Sequence, residues 1–190
     1  MSLEKIMKEI EEIKERMNMS PVVGQFHKVS LKQFIKDFQT EEDATENEIK
    51  EIYENVLITP VRSSIGSAGH DFVLTKDINL NPGDSVIIHT GIRAEIIPGW
   101  VLVIAPRSGL GSKFRMQIDN TVGIIDEDYF DANNEGHIMV KITNDGDKVL
   151  SLKAGDRFVQ GVFLPYGVTQ NDVPLGKRTG GLGSSGLKIK

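Results

Sequence analysis

Arg107 and Ser108 stand in the run Ala105-Pro106-Arg107-Ser108-Gly109-Leu110-Gly111, closely followed by Asp119-Asn120-Thr121-Val122-Gly123-Ile124-Ile125-Asp126-Glu127-Asp128-Tyr129. The first run sets a guanidinium fork and a small hydroxyl donor on a tight glycine turn, a pairing suited to phosphate oxygens. The second has the β pattern of a hairpin and ends in Asp126, a carboxylate between apolar neighbours and an aromatic. A carboxylate within hydrogen-bond reach of a water can take its proton and direct it at phosphorus. These are the parts of a nucleotide hydrolase. Residue type alone does not separate Asp126 from Asp128, and it leaves Tyr129 equally suited to core packing.

These groups have to be held by the elements around them. From Ile58 onward the chain consists of short β runs, among them 85–89, 100–104, 137–142 and 157–163, punctuated by turns such as Asn81-Pro82-Gly83-Asp84. Even spacing without intervening helices predicts a mainly β protein, a barrel or jelly roll. The N-terminal part reads as helical. Leu3, Ile6, Ile10, Ile13 and Met17 alternate by three and four among Glu and Lys, and Pro21 ends the segment. An amphipathic helix docked on its own domain is the expected use of that stripe. A short coiled coil is the alternative, with isoleucine at both core positions leaning to three or four strands. A short strand is predicted at 24–29. Ser30 and Gln33 fit a capping box opening a helix with Leu31, Phe34, Ile35 and Phe38 on its apolar side, and Thr45 and Glu48 fit another before Ile49, Ile52, Tyr53 and Val56. The acidic segment 40–47 reads as a solvated linker. The chain divides into a helical extension at 1–55, a β core at 56–177 and a glycine-rich arm at 178–190.

Composition narrows the chemistry. The chain has 190 residues, enough for one domain and an appendage, and no cysteine, which excludes disulfides, thiolate zinc sites and thiol nucleophiles. The net charge of −5 resides in residues 1–55, which hold 13 acidic and 8 basic side chains, while 56–190 hold 14 of each. A core without excess positive charge argues against nucleic acid as a partner. No apolar run is long enough to cross a bilayer and the N-terminus is too charged for a signal peptide, so no membrane association and a cytoplasmic location are expected.

Five segments in order resemble the motifs of trimeric deoxyuridine triphosphate nucleotidohydrolases (dUTPases). They are Ser67-Ala68-Gly69-His70-Asp71-Phe72; Pro106-Arg107-Ser108-Gly109; Gly123-Ile124-Ile125-Asp126-Glu127-Asp128-Tyr129; Gly155-Asp156-Arg157-Phe158-Val159-Gln160; and Arg178-Thr179-Gly180-Gly181-Leu182-Gly183-Ser184-Ser185-Gly186. The resemblance runs from about Ile58 to Gly186. It implies a jelly roll assembled as a homotrimer, active sites between subunits, and hydrolysis of dUTP to dUMP and pyrophosphate with Mg2+. It also implies roles. Asp126 is the catalytic base, and Tyr129 lies against the deoxyribose where a 2′-hydroxyl would clash. The backbone around Asn120–Gly123 reads the uracil edge, with Ile125 also at the substrate. Arg107, Ser108, Gly109 and Gln160 meet the phosphates. Asp71 orients water on the magnesium. Arg178, Gly183, Ser184 and Ser185 close over the terminal phosphates.

Two departures stand out. Leu182 occupies a place where the arm commonly carries an aromatic to stack on the base, so weaker arm closure is expected. Residues 130–135 lengthen the link between Tyr129 and Gly136. Two other readings are a dCTP deaminase-related enzyme and a regulatory protein on this scaffold, acting on a protein partner through residues 1–20.

Overall fold

Capping residues set the N-terminal helices. In the computed structural model, which describes residues 2–40, 44–174, 176 and 180, α1 spans Leu3–Met19, α2 Leu31–Phe38 and α3 Glu46–Asn55. The predicted box at Thr45 and Glu48 is complete. The one at Ser30 is half made. Ser30 Oγ accepts from the Gln33 N–H at 3.1 Å, but the Gln33 amide turns to Asp37 at 2.8 Å. The Ser30 N–H and hydroxyl instead donate to Glu135, each at 2.7 Å.

The helices differ in what they bury. Phe34 and Phe38 of α2, Ile49 of α3, and the flanking Val29 and Leu57 belong to the same apolar core as Phe72, Ile88, Leu102, Ile142 and Phe158. The apolar faces of α2 and α3 are thus packed into the body. Among the described residues, α1 does not show the expected docking: Leu3, Met7 and Ile10 are 74, 62 and 45% exposed, whereas α2 and α3 supply side chains to the core.

Among the described residues twelve strands form four sheets, and every pairing is antiparallel. β1 (Gly24–Lys28) pairs with β6 (Ile92–Ile96), and β4 (Ile78–Leu80) with β11 (Leu150–Leu152). β5 (Ser85–His89), β10 (Met139–Asn144) and β8 (Met116–Ile118) make a three-stranded sheet. The largest sheet runs in the order β2 (Val61–Arg62), β3 (His70–Val73), β12 (Arg157–Pro165), β7 (Trp100–Pro106), β9 (Gly123–Ile125). The mainly β expectation holds.

Three local expectations do not. The glycine turn after Pro106 is a helix, α4 (Ser108–Phe114). The N–H groups of Leu110 and Gly111 both bond to the Arg107 carbonyl, and neither Gly109 nor Gly111 takes a positive φ. The expected hairpin is not a hairpin. β8 pairs with β10 and β9 with β7, so the two arms part into different sheets after a turn in which Thr121 adopts φ 71°. The predicted strand at 137–142 begins instead at Met139, after the buried His137 and Ile138.

His137 Nε2 accepts the Gly91 N–H at 2.8 Å, so its proton sits on Nδ1 and is donated to Asp37 at 2.7 Å. Burial pushes the Asp37 carboxyl up, but hydrogen bonds from His137 and Gln33 outweigh it and hold the carboxyl below its ordinary value of 3.8. A lowered folded value means stabilisation that is present above the unfolded pKa and lost as pH falls through the folded one. Asp37→Asn is therefore expected to cost about 1–2 kcal/mol at neutral pH, the difference between a charge-assisted and a neutral hydrogen bond. The gap from the native protein should close below about pH 4, as read by urea denaturation across a pH series.

Candidate active site

Sheet order brings four of the sequence segments side by side. Asp71 on β3 pairs with Gln160 on β12, and Gln160 pairs with Ala105 on β7, so the three occupy one row across the sheet. Directly paired residues point to the same face. Arg107 follows at the end of β7, and Arg157 opens β12.

Asp71 has a side chain only 7% exposed, and a buried carboxylate needs charged partners. It has two. Its Oδ2 accepts from Arg157 Nη1, and its Oδ1 forms an ion pair with Arg107 Nε, each at 2.9 Å. The ion pair orients the Arg107 side chain. Gln160 is half-buried and its amide donates to the Pro106 carbonyl at 3.4 Å. A Cβ at position 69 would collide with Gln160 Oε1, so glycine there permits this close approach. Ser108 and Gly109 are exposed on the first turn of α4.

A second feature lies where the arms of β8 and β9 part. Between them and β10 is a cavity of about 220 Å³, lined by Asn120, Gly123, Ile125 and Tyr129 with Ile118, Met139 and Lys141. Asn120, Gly123, Ile125 and Tyr129 were all expected at the substrate. Tyr129 sits in a short 3-10 helix (Glu127–Asp131) and is 5% exposed. Its hydroxyl donates to the His137 carbonyl at 2.7 Å and accepts from Asn134 Nδ2 at 2.9 Å, which fixes the ring. Asp119 braces the turn. Hydrogen bonds from Lys141 and Thr143 hold its carboxyl below the ordinary value despite some burial. A wider hollow of about 590 Å³, between residues 20–24 and Arg62–His70, carries none of the expected site residues.

Asp126 is exposed at the end of β9, where its carbonyl accepts the Tyr129 N–H at 3.2 Å. It does not meet Arg107 within the chain. Ile125, just before it, pairs with Leu102, five residues before Arg107; at roughly 3.3 Å per residue that is roughly 16 Å of strand. The structure therefore collects Asp71, Arg107 and Gln160 at one place. It collects Asn120, Gly123, Ile125 and Tyr129 at another, with Asp126 beside the latter. Arg178, Leu182, Gly183, Ser184 and Ser185 lie outside the described residues.

Residue-type reasoning gave Arg157 and Lys141 no role. An aspartate inside the apolar run His70–Leu74 was the available signal for the first, since a carboxylate so placed requires a cation. Lys141 had only the alternation of β10 to mark it. Among the described residues, no group of three or more His, Asp or Glu side chains could hold a metal ion.

The dUTPase family model matches residues 56–186. The deoxyuridine 5′-triphosphate nucleotidohydrolase of Lactococcus lactis subsp. lactis is 38% identical over 138 residues, covering 70% of this chain and 92% of that protein. The enzyme of the same name from Shewanella piezotolerans is 38% identical over 139 residues, covering 68% and 87%. Among solved structures, dUTPase from Streptococcus mutans superposes with TM-score 0.57 at 30% identity, covering 77% of this chain and 98% of that one. A dUTPase from phage phi11 of S. aureus, whose structure shows a coordinated structural Mg(II) ion, gives TM-score 0.55 at 18% identity over 82% and 98%; at that identity the similarity is one of fold. On the match over residues 56–186 and these relatives, the chain belongs to the dUTPase family.

Proposed function

We propose that this protein hydrolyses dUTP to dUMP and pyrophosphate at sites assembled between copies of itself in a homotrimer. The observation that carries the reading is the separation of two half-sites. A cavity of about 220 Å³ with Asp126 beside it, and the cluster of Asp71, Arg107 and Gln160, lie apart on one chain. A neighbouring copy that sets its Arg107 end against the Asp126 end of this one completes the site, a head-to-tail contact that a rotation can close into a ring.

In this reading the uracil enters the cavity and its edge meets backbone groups of the 120–123 turn. Cytosine exchanges an acceptor for a donor on that edge, and the mismatch leaves buried polar atoms unpaired. The fixed Tyr129 ring fills the space a 2′-hydroxyl needs. The triphosphate lies along Arg107, Ser108, Gly109 and Gln160 of the neighbour. Asp126 takes a proton from a water as its oxygen bonds to the α-phosphorus, and the bond from that phosphorus to the α–β bridging oxygen breaks to release pyrophosphate. Arg178, Gly183, Ser184 and Ser185 close over the phosphates, with Leu182 on the base.

The donor set suits a magnesium ion that arrives on the triphosphate and keeps its waters. Each Asp71 oxygen faces one guanidinium and has acceptor capacity for a metal-bound water, while no carboxylate cluster competes among the described residues. Bound there, magnesium would offset the charge of the phosphates. The exposed stripe of α1 gives the chain a surface for a protein partner, an added role that leaves the chemistry in place.

Pyrophosphate release from dUTP, with dCTP, dTTP and UTP in parallel, tests the reaction. Magnesium-dependent release from dUTP alone is expected, and Asp126→Asn should lower kcat by roughly 10²–10⁴ with little change in KM. Release undiminished in Asp126→Asn, or none from dUTP, would contradict the assignment. Arg157→Met strips Asp71 of one of its two cations. It should cost about 1–3 kcal/mol in urea unfolding, and raise KM for dUTP while leaving dUMP affinity near native.

A further inference from the structure

The segment that lengthens the link after Tyr129 is tied down from outside the family-matched region. Glu135 and Gly136 both take the left-handed conformation, at φ 57° and 67°, turning the chain back over Tyr129. A Cβ at Gly136 would stand 2.6 Å from the Tyr129 carbonyl oxygen. Glu135, a residue with a side-chain cost in that conformation, is fixed by two hydrogen bonds from Ser30 at the start of α2. Two residues on, His137 is fully buried and lies between the Gly91 N–H and Asp37, near the end of α2, with Gln33 bracing the other Asp37 oxygen. A further tie comes from β6, where Arg93 donates to the Phe130 carbonyl and lies over its ring at 3.5 Å.

What His137 holds is the nucleoside cavity. Its carbonyl accepts the Tyr129 hydroxyl at 2.7 Å, and Asn134, inside the tied segment, donates to the same hydroxyl. The residues immediately after His137, Ile138 and Met139, line the cavity opposite Gly123 and Ile125. A shift of His137 therefore moves the tyrosine and the facing wall together.

We infer that α2 is a positioning element of the nucleoside cavity, acting through Asp37 on His137 and through Ser30 on Glu135. Asp37 touches no reacting atom, and its effect is on where Tyr129 and Ile138 stand. The inference rests on the reading of this cavity as the dUTP site. Deformation of a cavity wall should weaken ground-state and transition-state binding alike, which raises KM without lowering kcat. Loss of folded protein would do the reverse, lowering apparent kcat with KM unchanged.

The test compares native protein, Asp37→Leu and Asp37→Asn in dUTP turnover, together with calorimetric titration of dUDP. Asp37→Leu keeps side-chain bulk but removes the acceptor for His137. It should raise KM for dUTP and Kd for dUDP about tenfold while kcat stays within about twofold. Asp37→Asn retains an acceptor oxygen and should bring both constants back to within about threefold of native. Glu135→Gln, on the half-exposed loop, is the second probe should Asp37→Leu not fold, with a rise of about threefold expected in both constants. Native KM and Kd in Asp37→Leu or in Glu135→Gln would overturn the inference, as would a loss in Asp37→Leu that Asp37→Asn does not restore. If the native protein neither binds dUDP nor turns over dUTP, the cavity assignment itself fails and takes the inference with it.

Discussion

β12 runs from Arg157 to Pro165, and over Val159–Pro165 it is paired without interruption to Pro106–Trp100 of β7. On its other edge it pairs with β3, with a bulge between Arg157 and Val159. That double pairing fixes Asp71, Gln160 and Ala105 in one row, and the bulge lets Arg157 reach back to Asp71. A one-residue slip in either pairing would send alternate side chains to the opposite face and dissolve the cluster. The same β7 register, continued into β9, sets Asp126 at the far end of the strand from Arg107. Cluster and separation are thus two consequences of one set of backbone pairings.

Polar groups in the interior are placed by the same requirement for partners. Asp71 is tolerated because two guanidiniums face its two oxygens; leaving a buried group unpaired costs about 1–3 kcal/mol, and more for a charge. His137 is tolerated because one nitrogen accepts from Gly91 and the other donates to Asp37. Tyr129 is buried with its hydroxyl both donating and accepting. Each of these satisfied groups also orients something beside it: the Arg107 side chain, or residues that line the cavity at Tyr129. Stability and site geometry are set by the same bonds.

The elements legible in the sequence were those with period and punctuation. The box at Thr45, the apolar faces of α2 and α3 and the long β runs could all be read because capping and alternation are local properties. α4 was missed because glycines at 109 and 111 suggest a turn, whereas the Arg107 carbonyl accepts two following N–H groups and starts a helix. The parting of β8 and β9 was missed because a β–turn–β pattern does not say which partners the arms take. β2, β4 and β11, of two or three residues, have no period to read. At the site, residue types gave the carboxylate, the cation and the tyrosine. Long-range partners gave the rest: Arg157 on Asp71 is 86 residues away in the chain, and His137 on Asp37 is 100.

In the proposed assembly the Arg107 cluster of one copy serves the Asp126 carboxylate of another. This is tested most directly by mixing two inactive proteins, Asp126→Asn and Arg107→Met, under conditions that allow subunits to dissociate and reassemble. If each site draws its halves from different copies, random assortment at equal amounts makes about a quarter of the sites fully native. dUTP turnover should then recover to about that fraction of the native rate. A mixture that stays as inactive as its two components, after exchange of subunits has been verified with a label, would contradict the account and place both halves of each site on one chain.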